Sequence, residues 1–194
     1  MFIMKKIVIF ASGSGTNAEN IIEYFKKTST AQVVAVFTNN PTAGVIVKVR
    51  KHIIPIEIFT KSQFFENELL QKIKNFEPDL IVLAGFLLQF PSNIIAAYPD
   101  KVINIHPALL PKYGGKGMYG KYVHQAVFDN KELETGITIH YVNENYDEGA
   151  IIAQQRIALT GIDTVATIAE KIHSLEQEFF PIVIEHVLNP NISL

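Results

Sequence analysis

The chain contains no cysteine, which excludes disulfide scaffolds and thiol chemistry and leaves a zinc ion only histidine and carboxylate ligands. It also lacks any apolar run long enough to span a bilayer, since the longest, LIVLAGFLL at 80–88, is less than half of what a transmembrane helix needs. An excess of charge of one sign is missing too. With 17 basic and 19 acidic residues the formal net charge is −2, so no broad field draws nucleic acid or an acidic membrane surface. Internal repeats, low-complexity segments and linkers are absent, and 194 residues suit one domain over 1–194 with a sizeable core. The start MFIMKKIVIFASGSG reads as a first strand rather than a signal peptide, with Met1 and Met4 both acceptable first residues. The expectation is a cytoplasmic protein.

What is present is an alternation of apolar runs and amphipathic stretches, the pattern of a mostly parallel sheet covered by helices on both faces. Strands are predicted at 6–11, 32–39, 78–86 and 101–106, with a short extended piece at 54–59. Helices are predicted at 17–27 (N-cap Thr16 or Asn17), from Pro41, over 61–76 and from Ser92 to Tyr98. After Pro107 the style changes. A glycine-rich loop runs into a helix, and 135–143 and 149–160 alternate apolar and polar residues as an antiparallel hairpin does. The tail from Asp163 to Leu188 is one amphipathic helix, with Val165, Ile168, Ile172, Leu175, Phe179 and Val183 on its buried stripe. The fold class is therefore α/β, Rossmann-like in its first half, with an antiparallel C-terminal part.

Open α/β sheets bind ligands beyond the carboxyl ends of their strands, so the loops after Ala11 and after Ile105 matter most. In FASGSGTNAEN, residues 10–20, Gly13, Gly15 and Ala18 fit the spacing of a dinucleotide loop. Such a site also needs an acidic residue at the end of the second strand to hold the ribose hydroxyls, and here Thr38, Asn39 and Asn40 stand there. A turn of Gly13, Ser14 and Gly15 leading into Thr16 and Asn17 at a helix N-terminus instead suits a single phosphate. In the second loop, NIHPALLP, residues two apart on a strand share a side, so Asn104 and His106 face together while Ile103 and Ile105 face the other way. An amide donor beside an imidazole at a strand end points to carbonyl chemistry, with Asn104 for a developing oxyanion and His106 for a proton. Asp147, in the turn NENYDEGAII, is the best carboxylate to orient the imidazole and raise its pKa, although spacing alone reads it as a turn former.

These segments, FASGSGTN, DLIVLAGFL, VINIHPALLPKY, TGITIHYVNENYDEGAIIAQ and EKIHSLEQEFFP, give the chain nearly its full length of resemblance to a known family. It resembles the folate-dependent formyltransferases, and among them those that formylate a glycinamide ribonucleotide in purine synthesis. The resemblance implies a metal-independent transfer from 10-formyltetrahydrofolate to the amine of 5-phosphoribosylglycinamide. It implies a monomer or homodimer acting on small molecules, without nucleic acid or membrane. It assigns catalysis to Asn104, His106 and Asp147, with a protonated His106 holding the oxyanion alongside Asn104. Gly15, Thr16 and Asn17 meet the phosphate end, and Glu176 the glycinamide. Leu87, Leu88, Gln89 and Phe90, with Asn143, Glu144, Asn145, Tyr146 and Asp147, line the pterin pocket, to which Asn104 also contributes. Two departures concern folate contacts: Leu87-Leu88 replaces a frequent Met-Arg pair, and Ser62 beside Lys61 replaces a frequent Arg. The loop KYGGKGMYGKYVHQ is longer than in many members, and its Lys112, Lys116 and Lys121 are candidates to screen substrate charge. Other enzymes of the same fold, a formylfolate hydrolase or a tRNA or sugar formyltransferase, are the nearest alternatives, and a silent nucleotide-binding module the more distant one.

Overall fold

The computed structural model describes residues 4–64 and 66–191, so Met1 as a start and Phe65 within the third expected helix lie outside the described residues. One seven-stranded sheet runs through the molecule in the order β3-β2-β1-β4-β5-β6-β7. Strands β1 (Lys5–Phe10), β2 (Ala31–Thr38), β3 (Ile56–Ile58), β4 (Leu80–Leu83) and β5 (Val102–His106) are parallel. β6 (Glu134–Tyr141) pairs antiparallel with both β5 and β7 (Ile151–Ala158), as the alternation in that part of the sequence predicts. The winding reverses between β1 and β4, so the loops after these two strands open into one crevice at the carboxyl edge.

Strand alternation divides the core in two. Ile7 and Ile9 of β1 face a layer built with α1 (Thr16–Thr28), α2 (Gly44–Arg50) and α7 (Val165–Leu188). Val8 and Phe10 face the opposite layer, which α4 (Asn67–Asn75) and α5 (Ser92–Ala97) cover. That second layer is aromatic: Phe10 stacks on Phe37 at 4.9 Å and meets Phe59, Phe86 and Phe90 edge-on. Each fully buried Phe of this kind contributes roughly 1.5–3 kcal/mol through the apolar area it removes from water. None of the helices among the described residues is long and apolar enough to cross a membrane.

Several boundaries differ from the sequence reading, each for a local reason. The second helix begins at Gly44 rather than Pro41, because Asn40 Oδ1 accepts from the Thr42 N–H at 3.0 Å and hydroxyl at 2.8 Å and shapes a turn there. The stretch 61–76 forms two helices, α3 (Lys61–Phe64) and α4. β4 is shorter than 78–86, since Gly85 at φ 72° turns the chain out of the ladder. In α7 the fully buried ring is Phe180; Val165, Leu175 and Phe179 are only partly buried. Thr164 starts that helix with a capping box to Thr167. Inside it, Pro181 has no N–H to give the Gln177 carbonyl, and Asn20 Nδ2 of α1 donates to that oxygen instead, at 2.8 Å. This crosslink helps fix α7 against α1.

Candidate active site

β1 ends in Ala11 and Ser12, and the chain then turns through Gly13, Ser14 and Gly15 into α1. Gly15, not Thr16 or Asn17, is the residue before the helix; it lies at φ 76°, in the left-handed region that glycine enters without strain. A β-carbon there would lie 2.5 Å from Val45 Cα, so glycine also lets the loop sit against α2. The first N–H groups of α1 have no intrahelical acceptors, and the residues at this positive helix end line the cavity. Ser12 and Asn39 bond to each other at 2.7 Å, so the end of β2 braces the loop rather than gripping a ribose. Asn17 faces α7: its Nδ2 donates to Glu176 Oε2 at 3.0 Å and its Oδ1 accepts from Gln177 Nε2 at 2.7 Å. Burial pushes the Glu176 carboxyl above its ordinary value, outweighing the Asn17 bond and nearby His173.

At the other strand end, Asn104 and His106 lie on one side of β5 and converge with Asp147. Asn104 Nδ2 lies 3.4 Å from Asp147 Oδ1, and His106 Nδ1 lies 3.5 Å from Asp147 Oδ2. The backbone N–H of Gly115 donates to the same Oδ2 at 2.9 Å. Asp147 itself sits at φ 57°, a left-handed turn conformation that Asp tolerates better than most residues. A fourth member joins them. His140 of β6 is the ladder partner of Asn104, and its Nε2 lies 3.1 Å from Asn104 Nδ2 and 3.6 Å from Asp147 Oδ1. A carbonyl only accepts, so the 2.8 Å contact to Tyr141 O places a proton on His140 Nδ1 and leaves Nε2 to accept from Asn104. Sequence reasoning missed this residue.

By the same logic, His106 Nε2 donates to Tyr113 O at 2.8 Å, while its Nδ1 faces the Asp147 carboxylate. Burial holds the imidazole below its ordinary pKa despite the opposing pull of Asp147 and the Tyr113 carbonyl. For Asp147, burial acts to raise the carboxyl, but His106 and the Gly115 N–H help leave it below its ordinary value.

Both loops open into one cavity of about 630 Å³ that brings together Gly15, Thr16, Asn17, Asn104, His106, Asp147 and Glu176. Leu87, Leu88, Gln89, Phe90, Asn143, Asn145 and Tyr146 line it as well. Glu144 does not; it lines a neighbouring polar recess, and its carbonyl accepts from Gln89 Nε2 at 2.6 Å. Of the three loop lysines only Lys116 lines the cavity. Lys112 is paired with Glu132 at 2.9 Å, and Lys121 lies over the Tyr122 ring.

Comparison with known proteins bears on the family of the chain. The formyl transferase family model matches residues 5–184. A phosphoribosylglycinamide formyltransferase of Bacillus subtilis is 36% identical over 194 residues, 97% of each chain. The chloroplastic phosphoribosylglycinamide formyltransferase of Arabidopsis thaliana is 36% identical over 91% of this chain, which spans 63% of that relative's length, and 60% of a similar protein from Vigna unguiculata. The crystal structure of phosphoribosylglycinamide formyltransferase from Bacillus halodurans superposes with a TM-score of 0.87 at 33% identity, covering 98% of both chains. The chain belongs to the formyl transferase family.

Proposed function

We propose that this protein moves the formyl group of 10-formyltetrahydrofolate to the amine of 5-phosphoribosylglycinamide in de novo purine synthesis, giving formylglycinamide ribonucleotide and tetrahydrofolate, and that it does so in the cytoplasm. One observation carries the reading: Asn104, His106 and Asp147 meet in the same cavity as the Gly13–Asn17 helix terminus. The helix terminus suits the acceptor's phosphate, and Glu176, bonded to Asn17, suits the glycinamide end. Leu87, Leu88, Phe90 and Val142 offer an apolar slot for a flat pterin, with polar groups of 143–147 at its rim.

In the transfer, a bond forms between the glycinamide nitrogen and the formyl carbon, and the bond from that carbon to the folate nitrogen breaks. Asn104 Nδ2 gives a hydrogen bond to the formyl oxygen as negative charge grows there, exchanging its weaker contact, that to Asp147. His106 takes the proton the amine releases, and ionised Asp147 stabilises the imidazolium. The proton then passes to the departing folate nitrogen. His140 keeps Asn104 and Asp147 aligned throughout.

The test is a steady-state assay of purified protein with 10-formyltetrahydrofolate, followed by the absorbance change on loss of the formyl group, with and without 5-phosphoribosylglycinamide. Turnover only with the ribonucleotide supports the transferase. Acceptor-independent turnover identifies a hydrolase, and ribonucleotide binding without turnover identifies a silent binding module.

The protonation states give a signed prediction. His106 must be neutral to take the proton, so kcat/KM rises as pH rises through the imidazole pKa. Burial depresses that pKa, so the acid limb lies below the ordinary histidine value of about 6.5. Because the Asp147 charge holds the imidazole pKa up, Asp147→Asn is expected to lower the rate and move the limb to still lower pH. A limb that stays put or moves up, in a pH–rate profile of both proteins, removes His106 as the titrating base.

A further inference from the structure

Asp147 sits in the turn that follows β6, and one bond ties the front half of that turn to the rest of the molecule. The chain leaves the sheet at Val142, whose N–H donates to the Val102 carbonyl at 2.9 Å, and is caught again at Asp147 by the Gly115 N–H. Between these points Asn145 bonds only within the turn: its N–H donates to Asn143 Oδ1 at 3.0 Å and its Nδ2 to Glu148 Oε2 at 2.9 Å. Among the described residues, the one hydrogen bond from 143–146 to another segment is accepted by the Glu144 carbonyl from Gln89 Nε2, at 2.6 Å. The segment that Gln89 reaches from is fixed. The Ser12 N–H donates to Gly85 O at 3.1 Å, and the Leu87 N–H donates to Ser12 Oγ at 3.2 Å. On either side of this stretch Phe86 and Phe90 meet the Phe10 ring edge-on, at 5.4 and 5.1 Å. Gln89 itself is exposed, so core packing does not hold its amide in place; the bond to Glu144 does.

Both segments line the cavity, one with Leu87, Leu88 and Phe90 and the other with Asn143, Asn145 and Tyr146. The Gln89–Glu144 bond therefore joins a fixed wall of the slot assigned to the pterin to a wall that nothing else restrains. Width matters for a flat ring, because a gap of about 0.5–1 Å on one face already forfeits a quarter to a half of each dispersion contact there. We propose that Gln89 is a positioning residue, whose amide clasps the 143–146 turn to the 85–90 segment and so sets the fit of the slot around the reduced pterin of the formyl donor. The inference rests on the donor assignment made above. Asp147 keeps its own anchor on the Gly115 N–H, so the clasp acts on donor binding and leaves the chemical step in place.

The experiment compares the full chain with Gln89→Met and Gln89→Glu by backbone 15N relaxation, calorimetric titration with tetrahydrofolate and steady-state kinetics. Methionine keeps the length of the side chain without a donor, and glutamate sets a charged acceptor against the Glu144 carbonyl. In ligand-free Gln89→Met the order parameters of 143–146 are expected to fall while those of 85–90 hold. Tetrahydrofolate binding weakens and the donor KM rises by about three- to tenfold, the range of one lost hydrogen bond, and by more in Gln89→Glu. Both kcat and the acceptor KM stay within about twofold. A tetrahydropterin without the benzoylglutamate tail loses affinity by the same factor, because the clasp acts on the ring slot. A loss confined to the tailed folate overturns the proposal and makes Gln89 a direct contact of the tail, from the polar recess that it also lines. Unchanged order parameters in Gln89→Met overturn it as well, and so does a fall in kcat as large as the rise in donor KM. Relaxation needs no ligand, so a wild type that binds no tetrahydrofolate removes the donor assignment, while the order parameters still decide whether the clasp exists.

Discussion

Replacing His106 with alanine is expected to lower kcat by about 10²- to 10⁴-fold, the usual contribution of a positioned general acid or base, while acceptor binding stays within about twofold. The split follows from where the groups lie. His106 is 3% exposed, and its ring contacts the Tyr113 carbonyl and Asp147. The acceptor's phosphate is assigned to the Gly13–Asn17 turn and its glycinamide to Glu176, and neither bonds His106. Asp147 keeps the Gly115 N–H and its Asn104 and His140 neighbours in the variant, so the site loses its proton carrier without losing its frame. Calorimetric titration with the ribonucleotide, paired with kcat, separates the two effects. Loss of binding equal in size to loss of turnover makes His106 a structural residue.

The same geometry shows how far the sequence carries. Asn104 and His106 were legible because a strand sends residues two apart to one side, and two polar groups leaving an apolar central strand stand out. The antiparallel hairpin was legible from its alternation as well. Asp147 was named as the best carboxylate, but spacing alone read it as a turn former, since a turn Asp before a glycine has an ordinary local explanation, and the family resemblance raised it above that. His140 was invisible for a different reason. In TGITIHYVN it alternates like any inward-facing strand residue, and what makes it functional is the register that pairs it with Asn104 across β5 and β6. One residue of slip would send it to the other face, and nothing local to either strand fixes that register. The pull of an adjacent carboxylate on His106 was legible in the sequence, whereas the depth of burial that opposes it was not.

Gly15→Ala is expected to cost roughly 2–5 kcal/mol of stability, from left-handed backbone strain of about 1–2 kcal/mol and overpacking of about 1–3 kcal/mol. The overpacking is hard to relieve, because the new β-carbon lies 2.5 Å from Val45 Cα, backbone of a residue with no exposed surface. Val45 is also bonded through its N–H to the Gly13 carbonyl at 3.1 Å, so moving α2 away pulls the loop with it. For a chain of this size the loss lowers Tm by roughly 4–20 °C. The acceptor KM should rise as well, because the first N–H groups of α1 no longer converge where the phosphate is assigned. Gly13→Ala separates backbone geometry from mere substitution. Its β-carbon meets nothing within 4 Å, so its stability should change by no more than about 0.5 kcal/mol. Thermal and denaturant unfolding of both variants, with the acceptor KM of each, test the argument. If the two glycines prove equally tolerant, the loop is not pinned against α2. If Gly15→Ala loses stability while the acceptor KM stays fixed, the turn serves the fold, and the phosphate is held elsewhere in the cavity.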